Sequence, residues 1–204
     1  MNQKEMIKKT LNMAWPAMLE SFFVAFAGLI DSLMVSSVGA YAVAAVGLTT
    51  QPKFLGLALF IAANVSISAL VARRMGEGKR EEANRIFSTF LLFTIAAGIV
   101  ISILLVAFAD PIIRLCGSEA ETHDAAVAYF RIVMGGMIFN VIQMGVNSAP
   151  RGAGNTRITM RTNLTASVVN IGLNYLLIQG HFGFPALGVK GAALATVIGT
   201  VVAS

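Results

Sequence analysis

Charge is scarce in this chain. Only 12% of its 204 residues are Asp, Glu, Lys or Arg, about half of the roughly 25% usual in soluble domains. That scarcity excludes an ordinary solvated surface. A single cysteine, Cys116, excludes an internal disulfide and offers no metal motif. There are two histidines, His123 and His181. Both fall in segments between apolar runs, so neither is placed to act as an intramembrane general base. No Ser–His pair, HExxH, CxxC or Walker loop is found. "GEGK" (Gly76 to Lys79) is too short for a phosphate loop and reads as a turn. An enzyme is not expected, and no cofactor or structural metal is called for.

Apolar side chain is what the chain has in abundance, at 56% of residues. Apolar stretches of 18 or more residues recur, each long enough to cross a hydrocarbon core of about 30 Å. The fold class expected is all-α, a polytopic membrane protein. Strands are excluded because a spanning barrel alternates polar and apolar residues, and these runs do not. Six spans are expected, at about 14–37, 52–72, 87–109, 126–148, 158–179 and 187–204, forming one lobe. Each connector contains Gly, Pro or a charge cluster that breaks the apolar period. The first run, after Lys4, Lys8 and Lys9, is too long for a signal-peptide core and carries Glu20 and Asp31. It reads as an uncleaved transmembrane helix.

The net charge of +5 is then a topology signal rather than a sign of nucleic-acid binding. Eleven of the fifteen basic residues lie in the N-terminus and the second and fourth connectors. The first, third and fifth connectors hold only Lys53, Arg114 and Lys190, with Arg131 near the outer end of span four. This distribution puts the N-terminus in the cytoplasm.

Two constellations stand out against the apolar background. In "GLIDSLMVS" (Gly28 to Ser36), Asp31 stands deep in span one, and Glu20 lies nearer its cytoplasmic end. Eleven residues apart, they return to nearly the same helix face, about 16 Å along it. Intramembrane acids are costly and usually face a cavity or a partner. Asp31 is either an ion-binding carboxyl or one bonded between helices for packing alone. Glu20 is either part of that site or an acid reaching headgroups and water. Pro16, four residues before Glu20, is the candidate bend, since it deletes a backbone hydrogen bond. In span five, Asn163, Asn170 and Asn174 are polar, the last two one turn apart. They are either interhelical glue or partners of Asp31 that help hold a proton or cation. Gly191, Ala195 and Gly199 repeat every four residues, a pattern of close helix packing.

Four ordered motifs resemble the N-terminal half of multidrug and toxic compound extrusion (MATE) transporters. They are Pro16, Glu20 and Asp31 with "VSSVG" (Val35 to Gly39), "ARRMGEGKREEAN" (Ala72 to Asn84), "PRGAGNTRI" (Pro150 to Ile158), and the run from Asn170 to Gly199. The resemblance implies an antiporter of the plasma (inner) membrane, built from two six-helix lobes. Such a protein expels lipophilic, often cationic drugs in exchange for protons or sodium ions. It implies a coupling acid at Asp31, with a sodium ion as one candidate occupant beside it. Its expected partners are a small drug or organic cation, membrane lipid, and the C-terminal lobe of the same full-length protein, before which this chain is expected to be truncated. Some relatives carry an acid at the position of Asn174, and the amide here removes that titrating group. The rival readings are a flippase of lipid-linked precursors on the same fold, disfavoured by the scarcity of span cations, and a non-transporting six-helix scaffold.

Overall fold

The computed structural model describes the backbone of residues 3–153 and 155–204, and the side chains from Ala14 onward except those of Ala17 and Gly154. The side chains of Lys4, Lys8 and Lys9 therefore lie outside the described residues. Among the described residues the chain is all-α, without strands. Its helices are α1 (Gln3–Ser36), α2 (Ala40–Gly76), α3 (Arg80–Ala107), α4 (Ala109–Leu115), α5 (Ala120–Gly135), α6 (Met137–Gly152), α7 (Thr156–Leu177) and α8 (Val189–Ala203).

The helices are apolar on their outsides. Only 17% of each apolar window in α1, α2 and α3 is buried within the protein. Phe22, Phe26, Leu55, Leu92 and Phe93 are all exposed. A helix that is hydrophobic all round belongs in lipid. By length and composition three helices can cross a membrane, Ala14–Ser36, Ala40–Gly76 and Arg80–Ala107, and a fourth can if α5 and α6 count as one bent span. Helix α7 is more polar, carrying Arg157, Arg161, three asparagines and four threonines. Helix α8 has only 15 residues, about 22 Å of length.

Three boundaries differ from the sequence-based expectation. Residues 38–51 were expected as a connector, but α2 is helical from Ala40. The chain turns over residues 37–39, where the φ of 141° at Gly39 suits glycine alone. The stretch that follows is rich in Ala and Val and has no proline before Pro52, so nothing stops a helix. Lys53 consequently sits inside α2 and not in a loop. The expected third connector contains α4 and the first turn of α5. The expected fourth span is two helices meeting at 44° about Gly136, where a Cβ would stand 2.5 Å from Val197. At Pro16, by contrast, α1 runs on as helix without a break.

Small residues let the helices approach one another, as lipid-embedded packing requires. A Cβ on Gly191 would lie 2.5 Å from the Leu177 carbonyl oxygen, and one on Gly199 2.9 Å from that of Ala166. The expected small-residue stripe therefore seats α8 directly on the backbone of α7. Gly152 brings α6 equally close to Ser68 of α2, at 2.6 Å. The core gathers around Phe60, Ile113, Phe130, Met134, Met137 and Val141. Ser102 of α3 donates to the Met134 carbonyl at 2.6 Å, tying α3 to α5.

Most of the remaining charge gathers near the helix ends. Between α2 and α3, Glu77 pairs with Arg74 at 2.8 Å and Arg73 at 3.1 Å. These hydrogen bonds, Arg74's first, hold its carboxyl below the ordinary range. "GEGK" is thus a turn clamped by ion pairs. At the opposite corner Arg114 lies 2.6 Å from Asp110 and holds that carboxyl low. No Ser–His motif is legible in the sequence, yet the fold sets Ser118 Oγ 2.7 Å from His123 Nδ1. His123 Nε2 is 3.5 Å from Asp110. The cluster joins the α4–α5 corner, with Asp110 already engaged by Arg114.

Candidate functional site

Helices α1 and α7 pack side by side and run in the same direction. Three side-chain hydrogen bonds fix their register. Asn163 donates to Glu20 at 2.6 Å, Asn174 donates to Asp31, and Gln179 donates to Ser37 at 2.8 Å. The first two join residues 143 positions apart and the third 142. The eleven-residue spacing of the two acids on α1 is therefore matched by that of two amides on α7. The polar residues that keep α7 from reading as an ordinary span are the ones turned toward α1.

The inner pair is the better enclosed. Asn174 is fully buried. Its amide donates to Asp31 and, at 3.2 Å, to Asn170 Oδ1. Asn170 donates to Thr196 Oγ1 of α8 at 3.3 Å, and Thr196 donates to the Ala192 carbonyl at 2.9 Å. Tyr129 of α5, also buried, lies against Thr196. The carbonyl oxygen of Asn174 is enclosed and has no hydrogen-bond partner among the described residues. Beside a carboxylate, that oxygen is a second hard donor, the kind of atom that alkali cations and protonated groups seek. A cavity of about 280 Å³ adjoins the chain, lined by Asp31, Asn170 and Thr196 together with Gly28, Ser167 and Asn163.

The outer pair has a different character. Glu20, expected either as part of the Asp31 site or as an acid reaching headgroups and water, has only 11% of its side chain exposed and is paired with Arg151 of α6 at 2.8 Å. Asn163, which donates to Glu20, accepts from Gln143 Nε2 at 2.8 Å. A second cavity, of about 620 Å³, lies between α2, α6 and α7. It is rich in amides (Asn64, Asn140, Gln143, Asn147, Asn163) and reaches Ala72, Arg151 and Gly152 at the helix ends.

The fold thus brings Asp31, Asn170 and Asn174 into one hydrogen-bonded group and leaves Glu20 in another, with Pro16 buried near the Glu20 end of α1. Sequence reasoning missed Thr196, Tyr129 and the Glu20–Arg151 pair. It also missed Lys53 of α2, whose charge acts on Asp31 across the helix interface. One signal was available: the shared eleven-residue interval of Glu20 and Asp31 and of Asn163 and Asn174.

A parallel α1–α7 pair carrying half-buried acids and buried or half-buried amides, in a bundle whose outside is apolar, defines a multi-pass membrane protein of transporter type. The MatE family profile matches residues 16–176, and the chain belongs to that family. It is 29% identical over 195 residues to a probable multidrug resistance protein NorM of Thermotoga maritima, covering 95% of this chain and 42% of that protein. It is 30% identical over 187 residues to a probable multidrug resistance protein YoeA of Bacillus subtilis, covering 91% and 40%. The solved structure of a MOP superfamily transporter from Pyrococcus furiosus superposes with a TM-score of 0.86 at 29% identity, over 96% of this chain and 42% of that one. The chain therefore spans less than half the length of the relatives it matches. Proteins of this family are transporters and not enzymes, in keeping with the lack of a catalytic motif.

Proposed function

We propose that this chain forms the N-terminal lobe of an antiporter that exports lipophilic organic cations in exchange for protons or sodium ions. The observation that carries the reading is the Asp31–Asn174–Asn170–Thr196 chain beside an open cleft in a bundle whose outside is apolar. An ionisable group in the membrane costs about 3 kcal/mol on insertion scales, a cost that a functional role offsets. The names of the Thermotoga and Bacillus relatives support the drug-exporting part of the proposal.

In this mechanism Asp31 alternates between two occupants. When ionised it attracts a cation, with the free carbonyl of Asn174 as a second oxygen ligand. When protonated it is neutral and keeps only its hydrogen bond to Asn174. A drug cation and the coupling ion then compete, and exchange follows if the lobe packs differently in the two states. The partners are the drug, the surrounding lipid and a C-terminal lobe that completes the central cleft. The crowding of basic residues at the N-terminus and at the α2–α3 and α6–α7 connectors supports an inner-membrane orientation with a cytoplasmic N-terminus.

The test is drug efflux by the full-length transporter in everted vesicles under an imposed proton or sodium gradient. Asp31→Asn keeps the volume and part of the hydrogen bonding but cannot ionise. It is expected to insert normally and lose ion-driven efflux. Efflux at the parental rate with unchanged ion dependence would reduce Asp31 to a packing residue.

A further inference from the structure

Asn163 is the one residue that lines both cavities, the 280 Å³ open cleft beside Asp31 and the 620 Å³ amide-rich cavity. From it a polar track runs along one face of α7. Asn163, Ser167, Asn170 and Asn174 follow at intervals of four, three and four residues, which keeps them in a single stripe about 16 Å long. Ser167 and Asn170 line the smaller cleft with Asn163, and Asn174 bonds to Asp31 at the end of the stripe. The larger cavity continues the track from Asn163 past Gln143 to Arg151, whose side chain is 51% exposed.

We infer that Asn163 is a gate between the Asp31 cleft and the larger cavity, and that a proton or small cation passes it on the way to or from the face that carries Arg73, Arg74 and Arg151. This rests on the reading of Asp31 as the coupling acid. The amide of Asn163 is held on both sides, donating to Glu20 at 2.6 Å and accepting from Gln143 at 2.8 Å. In that position it closes the junction. The latch is the Glu20–Arg151 pair. Arg151 neutralises Glu20, so an approaching cation meets no net negative charge while the latch is made. When the half-exposed Arg151 swings away, Glu20 becomes an uncompensated carboxylate at the mouth of the track, and the Asn163 amide can turn to follow an ion. Glu20 is a positioning residue here, acting through Asn163, which accounts for an acid in α1 outside the Asp31 cluster.

The test reads access and not transport. In the full-length transporter with Cys116→Ser, Ser167→Cys places a thiol in the Asp31 cleft one turn beyond Asn163. A membrane-impermeant cationic methanethiosulfonate is applied to everted vesicles, which present the cytoplasmic face, and to right-side-out vesicles. Labelling of the thiol is expected from the everted side. Asn163→Leu, which puts an apolar side chain of similar size at the junction, is expected to slow it by about tenfold, the effect of a barrier raised by about 1.4 kcal/mol. Asn163→Ser, which opens the junction while keeping it polar, is expected to speed it. Should the leucine variant fail to insert, the serine variant decides. Equal labelling rates in parent and variants, or labelling from the right-side-out face alone, would overturn the gate. Because labelling needs no drug efflux, failure of the gate and failure of the Asp31 reading give distinguishable results.

Discussion

Asn174 gives an amide hydrogen to Asp31 across the α1–α7 interface while its own carbonyl oxygen stays enclosed, with no hydrogen-bond partner among the described residues. The pair is thus asymmetric: its donor side is engaged and its acceptor side is open. A purely structural hydrogen bond between helices has no use for the orphan oxygen, which costs about 1–3 kcal/mol when left unsatisfied. A site that takes up a cation has a use for it.

Replacing that amide with a second acid should change the titration behaviour of the site. Asn174→Asp puts two carboxylates within contact distance, and such groups titrate as a pair. The pH profile of efflux is expected to shift and spread over two steps. A profile superimposable on the parent's would mean that position 174 does not communicate with the coupling ion.

The close seating of α8 on α7 makes Gly191 intolerant. In Gly191→Ala the new methyl would meet the Leu177 carbonyl at 2.5 Å, a backbone atom that cannot rotate away. Overpacking of this kind costs typically about 1–3 kcal/mol. The variant should show a clearly lowered Tm in detergent, whereas Gly28→Ala, with nothing within 4 Å, should not. Equal Tm values would refute the seating.

Orientation has its own check. Cysteines introduced at Gly78 and Asn155 should react with impermeant reagents only from the cytoplasmic side, and one at Glu121 only from the outside. Labelling of the Gly78 position from outside would invert the topology.

The α4–α5 corner should show a small, pH-limited contribution to stability. Arg114 lowers the Asp110 carboxyl below its ordinary value, so the contribution is complete at neutral pH. It fades only as the pH drops beneath the ordinary aspartate range and through the lowered value. Asp110→Asn should therefore melt slightly below the parent at pH 7, and the two should converge in strong acid. A difference that persists unchanged in acid would assign the effect to something other than the ion pair.

Much of this was legible in the sequence because the relevant signals are local. Long apolar runs announce lipid-facing helices, and Asp31, Asn170 and Asn174 are conspicuous in such runs. The stripe of Gly191, Ala195 and Gly199 announces a close helix contact. The beginning of α2 was not legible, since an Ala- and Gly-containing run after "SSVG" fits a loop as well as a helix until the turn at Gly39 is seen. The bend at Gly136 was hidden because glycine is common in transmembrane helices and marks a break only when a neighbour such as Val197 forces it. Arg151 on Glu20 and Lys53 near Asp31 were out of reach for another reason. Residues so distant along the chain meet only through the packing of α6 on α7 and of α2 on α1.

The central claim is that a cation and the coupling ion compete for Asp31, and equilibrium binding tests it most directly. The affinity of the purified full-length transporter for a fluorescent lipophilic cation such as ethidium is measured across pH and across sodium concentration. In the parent, affinity should fall as protons or sodium ions are added. In Asp31→Asn it should no longer respond to the ion that competes in the parent. If the variant keeps the parental ion sensitivity, the competition occurs elsewhere and the account given for Asp31 is wrong.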